Sequence, residues 1–425
     1  MLAIKRGFIL AVLFAALAAP GQARYLERMA IDSREFALLE TTTVFQSDES
    51  PTGYYATFRY KAPEAKRVRI RGEWSFSGAR LSSLHTSENV MPGDYADGMF
   101  PLQVDQNDWP AFDMELCEQT GVWIYTIALP CGVWSYRFIV DGKEGAELTD
   151  YENAFVTSDP NNPPVERSLG QQTNSQVFVP FDADKQTADF SIQLPRTDEK
   201  TGTLEILYYD PEGLNYELLD EPSVAVYLPC GYDPSREEAY KVLYASHGGG
   251  VESETSWWNK GVIGNLTDNL LADYGVEPFV IVLLNNYADS FDHANMLKNV
   301  IPLIEGRYNV RSDAEGKALC GISKGAILAK NVLIDSPDSF RYYGLFSGAY
   351  FSESEERFET GSLDNCEIYL AAGERETGLT AMYRTAEKLA NAGKTDFRVF
   401  TVMGGHNWYT WRQVYVDFVL TELWK

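Results

Sequence analysis

The sequence predicts two domains of different class: an all-β sandwich, followed by a doubly wound α/β domain with a mainly parallel sheet. Three observations support this prediction. Short alternating strands without intervening helices fill the first part of the 425-residue chain. From about Ser191 onward, nearly continuous apolar runs alternate with helical patterns. Between these regions, residues 159–190 contain a proline-rich segment and a polar stretch, where we place a linker.

The first residues of the chain have the pattern of an export signal. Lys5-Arg6 precedes an apolar stretch at residues 8–19, and Gly21-Gln22-Ala23 is a small-x-small cleavage site. Ala16-Leu17-Ala18 is an alternative cleavage site, and a retained anchor is the alternative to cleavage. We expect residues 1–23 to be a signal peptide and the protein to be secreted, to the periplasm or outside the cell.

The β-rich region has strands at regular spacing. Period-two alternation predicts strands at 54–60, 68–71, 122–127 and 134–140, which together indicate a β-sandwich within residues 30–180. Its aromatic side chains recur at strand period, which favours a packed core over a sugar-binding platform. The aromatic residues concerned are Trp123, Tyr125, Trp134 and Tyr136.

The second region, residues 190–425, alternates between strands and helices. Such alternation is typical of a parallel sheet covered by helices on both faces. The predicted strands are 224–228, 242–245, 279–284, 318–320, 368–371 and 397–402. The predicted helices are 293–308, 324–334, 378–392 and 408–423.

Composition excludes several partners. The formal net charge of −25 opposes binding to nucleic acid and to anionic membranes. No Cys or His cluster has metal-ligand spacing, so we expect no metal and no cofactor. Five cysteines are too few for a disulfide scaffold. Cys117 and Cys131 flank a predicted strand, where either a disulfide or two buried thiols is compatible with the sequence.

The pentapeptide Gly321-Ile322-Ser323-Lys324-Gly325 lies between a predicted strand and a predicted helix. This G-x-S-x-G pattern is that of a nucleophile elbow, in which a sharp turn exposes one serine hydroxyl. A serine hydroxyl needs a base to remove its proton as it attacks. His406 is the only histidine after Ser323, and it follows the strand 397–402 in a glycine-containing loop. We therefore expect Ser323 to be the nucleophile and His406 the base.

Two further parts of the site follow other strands. Glu374 and Glu376 come after strand 368–371, and either carboxylate could orient the base. His247-Gly248-Gly249-Gly250 ends strand 242–245, where free backbone N–H groups suit an oxyanion hole. We assign the oxyanion donors to Gly248 or Gly249 together with the N–H of Lys324, the residue after the serine.

With these motifs, residues 191–425 resemble the putative-esterase family of α/β-hydrolases, which includes family-one carbohydrate esterases of the feruloyl and acetylxylan type. The resemblance rests on the elbow, on His247-Gly248-Gly249-Gly250, and on Gly405-His406-Asn407-Trp408. It implies an α/β-hydrolase fold and acyl-ester hydrolysis. The family's acid usually stands three residues after a glycine that ends the preceding strand, which favours Glu376 over Glu374. The family commonly has Asp there and Met at the position of Lys324.

The β-rich region resembles the early-set, immunoglobulin-like domains that precede some of these esterases. This resemblance rests on residues 56–63, on Gly121-Val122-Trp123 and on residues 136–142. It implies an immunoglobulin-like sandwich that packs or shapes a cleft.

The sequence therefore favours a secreted serine carboxylesterase that removes feruloyl or acetyl groups from plant cell-wall polysaccharide through a Ser-His-Glu triad. Trp257, Trp258 and Trp408 are the candidates to contact an acyl group or a sugar, with packing around the loops as the alternative. Other hypotheses are an acyltransferase, a siderophore esterase of the enterochelin type, and an inactive carbohydrate-binding relative. The oligomeric state is not predicted.

Overall fold

The computed structural model describes residues 40–77, 94–106, 108–141, 155–165, 174–210, 222–250, 252–285, 293–348 and 363–425. These described residues form two compact units, of which the first ends at Leu194 and the second begins at Pro195. The predicted signal peptide, residues 1–23, and the start of the predicted β domain at residue 30 lie outside the described residues. No helix in the described part of the chain is both long and apolar enough to cross a membrane.

The first unit consists of short strands that form two main antiparallel sheets. One sheet has the order β1-β2-β8-β7, and the other has the order β10-β9-β3-β6, with β11 also paired to β9. The strands are β1 (Thr43–Gln46), β2 (Tyr54–Lys61), β3 (Val68–Gly72), β4 (Phe76–Ser77), β5 (Phe100–Pro101), β6 (Ala111–Asp113), β7 (Glu115–Cys117), β8 (Val122–Ala128), β9 (Gly132–Val140), β10 (Phe155–Thr157) and β11 (Ser175–Val179).

The core of this unit is aromatic, and both main sheets contribute to it. The ring of Phe58 on β2 lies 4.6 Å from that of Tyr136 on β9, centre to centre. Trp123, Trp134 and Tyr136 are buried in the core cluster, and Tyr125 packs against it, which confirms the prediction of a packing role. The four predicted strands are present as β2, β3, β8 and β9. The immunoglobulin-like topology remains a prediction.

Strand β11 lies within the stretch predicted to be a linker. Val177 pairs with Trp134 of β9, and Val177 and Val179 are buried. Alternate burial of these valines against the aromatic core makes the segment a strand, although the surrounding prolines and polar residues suggested a connection.

The second unit is built on one eight-stranded sheet with helices between the strands. The strands are β12 (Thr203–Tyr208), β13 (Ser223–Leu228), β14 (Lys241–Ser246), β15 (Phe279–Leu284), β16 (Lys317–Ile322), β17 (Tyr342–Phe346), β18 (Glu367–Gly373) and β19 (Phe397–Val402). The helices are α1 (Ser256–Asn259), α2 (Ile263–Asp273), α3 (His293–Asn295), α4 (Ile301–Arg307), α5 (Lys324–Asp335), α6 (Gly378–Asn391) and α7 (Trp408–Thr421), with a π-helical segment, Met296–Val300, between α3 and α4.

The sheet has the order β12-β13-β15-β14-β16-β17-β18-β19. Strand β13 runs antiparallel to both its neighbours, and from β15 to β19 all pairs are parallel. Strand β15 pairs with one side of β14, and the next strand in the chain, β16, pairs with the other side of β14. This switch opens a crevice at the carboxyl ends of β14 and β16, where ligands bind in open α/β sheets.

The six predicted strands of this region are all present, and the predicted helices correspond to α3–α4, α5, α6 and α7. Strands β12 and β17 and helices α1 and α2 were not predicted. All five cysteines are described and none forms a disulfide, so Cys117 and Cys131 are two buried thiols.

Candidate active site

Ser323 lies at a sharp turn between β16 and α5. Its backbone has φ 51° and ψ −111°, a conformation that side-chain-bearing residues rarely adopt. The turn can pack against the end of β14 because Gly325 has no side chain. A Cβ at this position would lie 2.5 Å from the carbonyl oxygens of Ser246 and His247. The Ser323 N–H donates to the carbonyl of Phe346 at 2.9 Å, which anchors the turn to β17. This geometry is that of a nucleophile elbow.

His406 approaches Ser323 from the loop that follows β19. Its Nε2 lies 2.9 Å from Ser323 Oγ, although the two residues are 83 positions apart in the chain. Asn407 caps the following helix by accepting from the Thr410 N–H, which fixes the end of the loop. The imidazole ring also packs edge-on against Trp411, with ring centres 5.1 Å apart.

Glu376 completes a hydrogen-bonded line through the histidine. Its Oε2 lies 2.5 Å from His406 Nδ1, and its side chain is fully buried. Because a carboxylate oxygen accepts hydrogen bonds, Nδ1 carries the imidazole proton and Nε2 is left to accept from the serine hydroxyl. Glu374, the alternative acid, is exposed and accepts from Thr401 Oγ1 at 3.3 Å. Of the two glutamates, the structure brings only Glu376 to His406.

The glycine-rich loop after β14 lies beside the serine. A Cβ on Gly248 would stand 3.5 Å from Ser323 Cβ, and one on Gly249 would stand 3.5 Å from Lys324 Cδ. The structure thus brings Gly248, Gly249 and Lys324 close to Ser323. Their role as oxyanion donors stays a prediction.

The loop is held from its buried side by His247. The ring Nδ1 of His247 lies 2.8 Å from its neighbour's carbonyl oxygen, that of Gly248. Burial lowers the pKa of His247, because an imidazolium would lose its hydration there. A neutral ring with Nδ1–H donating to Gly248 orients the peptide between Gly248 and Gly249.

Of the three tryptophans predicted to contact substrate, Trp257 and Trp408 are buried against protein groups, while a substrate contact of Trp258 stays a prediction. Trp257 is 1% exposed and donates from Nε1 to the Ser246 carbonyl at 3.1 Å. Trp408 is also buried, with its ring perpendicular to that of Trp257. Trp258 is half-buried and covers Gly264 of α2. The prediction that Trp257 and Trp408 bind substrate is therefore corrected. Their rings contact protein groups and leave little surface for a ligand.

Sequence reasoning missed Ser347, which follows β17. Its Oγ donates to Glu376 Oε1 at 2.7 Å, and the side chain is buried. No motif surrounds this serine, and β17 itself was not predicted. The sequence around Ser347 therefore carried no signal that could have identified it.

Comparisons with known proteins agree with this fold. The sequence profile of the family described as "Putative esterase" matches residues 217–419. An endo-1,4-β-xylanase/feruloyl esterase of Xylanibacter ruminicola is 29% identical over 203 residues, which cover 44% of this chain and 27% of that protein. Endo-1,4-β-xylanase Y of Acetivibrio thermocellus is 28% identical over 156 residues, or 33% of this chain and 14% of that protein. The matches therefore span 27% of the first relative and 14% of the second.

A solved structure shares the fold over most of the chain. The enterobactin esterase of Shigella flexneri superposes with a TM-score of 0.55 at 16% identity, covering 93% of this chain and 100% of that chain. At this identity the likeness concerns the fold alone. The second unit has a fold of the α/β-hydrolase type. Residues 217–419 thus match the family described as "Putative esterase", and they contain Ser323, Glu376 and His406.

Proposed function

We propose that the protein is a serine carboxylesterase that removes feruloyl or acetyl groups from plant cell-wall polysaccharide. The observation that carries this proposal is the continuous line from Ser323 Oγ through His406 to Glu376. The substrate class is supported by the Xylanibacter ruminicola relative, whose name includes feruloyl esterase. In this proposal the enzyme is exported by the signal predicted at residues 1–23 and needs no metal or cofactor.

The proposed reaction proceeds through an acyl-enzyme. Ser323 Oγ bonds to the ester carbonyl carbon as His406 Nε2 takes its proton, and the carbonyl electrons move onto oxygen. The N–H groups of Lys324 and of Gly248 or Gly249 stabilise that oxyanion. The oxyanion then collapses, the bond to the sugar oxygen breaks, and His406 returns the proton to this leaving oxygen. Water repeats the sequence on the acyl-serine and releases the acid, while Glu376 stabilises the imidazolium in both halves.

The test is hydrolysis of a panel of esters by the purified protein. The panel contains an aryl acetate, methyl ferulate, a feruloylated arabinoxylan oligosaccharide, an acetylated xylan and a cyclic catecholate ester. We expect turnover of the feruloyl or acetyl polysaccharide substrates and its loss in Ser323→Ala. Ser235→Ala is the matched control, because Ser235 is exposed and bonds only to the nearby Asp233 in the hydrogen bonds described. Undiminished turnover by Ser323→Ala would refute the proposal.

The same panel separates the other hypotheses. Preference for the catecholate ester would assign the siderophore class instead. Acyl product on an added sugar, rather than in water, would identify an acyltransferase. Binding to polysaccharide without turnover, and without labelling by a serine-directed phosphonate, would indicate an inactive relative.

A further inference from the structure

The turn after β17 contacts both ends of the proposed triad. Phe346 accepts from the Ser323 N–H at 2.9 Å, and a Cβ on Gly348 would lie 2.1 Å from the Ser323 carbonyl oxygen. Between them, the Ser347 N–H donates to Ala371 of β18 at 2.7 Å. One short segment therefore packs against the backbone of the nucleophile and is fastened to the strand that leads to the acid.

Ser347 occupies this turn at an energetic cost. Its φ is +56°, in the left-handed region that glycine adopts freely and serine does not, and its side chain is only 2% exposed. Non-glycine residues with such a φ are strained and persist only where the surrounding structure holds them in place. Glycine would fit the backbone better, so the reason for a serine must lie in its hydroxyl.

The hydroxyl acts on the carboxylate of Glu376. Ser347 Oγ lies 2.7 Å from Oε1, and the Gly373 N–H lies 2.5 Å from the same oxygen. The other oxygen, Oε2, faces His406 Nδ1. Two donors on Oε1 fix the rotation of the carboxyl group, so that Oε2 is aimed at the histidine. A glutamate side chain has one more rotatable bond than the aspartate common in the family. The hydrogen bond from Ser347, added to that from Gly373, restricts this additional rotation.

We propose that Ser347 is a positioning residue of the esterase: its hydroxyl, with the Gly373 N–H, holds Glu376 in the rotamer that orients His406. This inference rests on the proposed triad. Ser347 contacts no reacting atom in the proposal, and its whole effect passes through Glu376.

The test compares Ser347→Gly and Ser347→Ala with wild type on the best substrate of the ester panel. Both variants lack the hydroxyl, and the glycine variant also relieves the strained φ. We expect kcat to fall about 10- to 100-fold with KM changed less than about 2-fold, as for loss of a hydrogen bond to a charged group. The glycine variant should unfold at the same temperature as wild type or higher, so lower activity would not reflect lower stability.

A double-mutant cycle tests whether the effect passes through the acid. In a Glu376→Ala background the hydroxyl has no carboxylate to hold, so adding Ser347→Gly should leave the residual kcat unchanged. An equal loss in both backgrounds, or a loss below about 2-fold in the wild-type background, would overturn the proposal. If the glycine variant fails to fold, Ser347→Ala carries the cycle instead.

The outcome is separable from failure of the proposed function. If wild type hydrolyses esters and Ser323→Ala does not, the proposed function stands and the cycle alone decides the role of Ser347. A readout independent of turnover is the proton resonance of His406 Nδ1–H, which lies downfield when this proton is shared with a carboxylate. We expect Ser347→Gly to shift or broaden it; an unchanged resonance would count against the positioning role.

Discussion

Gly321 and Gly325 face each other across the turn that bears Ser323, and a Cβ on Gly321 would lie 2.2 Å from the Gly325 carbonyl oxygen. The two glycines of the pentapeptide are therefore required for different reasons. Gly321 leaves room for the start of α5, and Gly325 leaves room for the carbonyls at the end of β14. Neither contact involves a flexible side chain that could move away.

Replacing either glycine by alanine should destabilise the second unit. We expect Gly321→Ala and Gly325→Ala each to lower the free energy of unfolding by about 3 kcal/mol, because the added methyl group meets backbone atoms. The measurement is urea unfolding followed by circular dichroism. Gly306→Ala is the matched control: apart from its chain neighbours and its own helix backbone, no described atom lies within 4 Å of its Cβ position in helix α4. That variant should be neutral or gain up to about 1 kcal/mol.

Ser323→Gly should be more stable than wild type and inactive. The φ of +51° is strained for serine and free for glycine, so we expect the free energy of unfolding to rise by about 1 kcal/mol. Ser323→Ala keeps the strain and should match wild type in stability. Thermal unfolding of the three proteins checks the order. Equal stability of the glycine and alanine variants would show that the elbow stores no strain.

The two glutamates after β18 should differ sharply in their effect on turnover. We expect Glu376→Gln to lower kcat by about 10³- to 10⁴-fold, because an amide cannot hold His406 in the required tautomer. Glu374→Gln should remain within about 2-fold of wild type, as surface substitutions usually do. Steady-state kinetics on one ester decides the matter. Similar losses in both variants would contradict the assignment of Glu376 as the acid.

The buried His247 should make the protein less stable in mild acid. Burial lowers the pKa of His247 in the folded state, while in the unfolded state it titrates near about 6.5. The unfolded chain therefore binds a proton that the folded protein does not, and His247 lowers the free energy of unfolding as the pH falls below about 6.5. For one proton the slope reaches about 1.4 kcal/mol per pH unit.

His247→Asn is the variant that isolates this effect. Asparagine keeps a donor near the Gly248 carbonyl but does not titrate. Unfolding in urea at several values between pH 7 and pH 5 should show a shallower pH dependence for the variant than for wild type. Parallel curves for the two proteins would mean that His247 is protonated alike in the folded and unfolded states.

The sequence alone was enough to predict those segments of the site that a short local pattern identifies. The turn at Ser323, the glycine-rich loop and the loop of His406 each follow an apolar strand, and the structure places these segments together at one edge of the sheet. The choice of Glu376 over Glu374 needed a family resemblance, because both glutamates follow the same strand.

The contact of Ser347 with Glu376 depends on pairing between strands. It exists because β17 lies beside β18 in register, with Phe346 opposite Ala371, and no local pattern encodes that distance. Burial of Trp257 likewise depends on helices α1 and α7 meeting. Two tryptophans near a predicted site look the same in the sequence whether they face solvent or one another.

His406 follows β19, which lies at the edge of the sheet and pairs, among the described strands, with β18 alone. Every other part of the proposed site is carried by strands with neighbours on both sides. A strand held on one side separates from a sheet at a lower free energy than an interior strand does. On heating, the edge can therefore open and withdraw the base while β14 to β18 stay assembled, so the temperature of inactivation would lie below that of global unfolding, and brief inactivation would reverse on cooling.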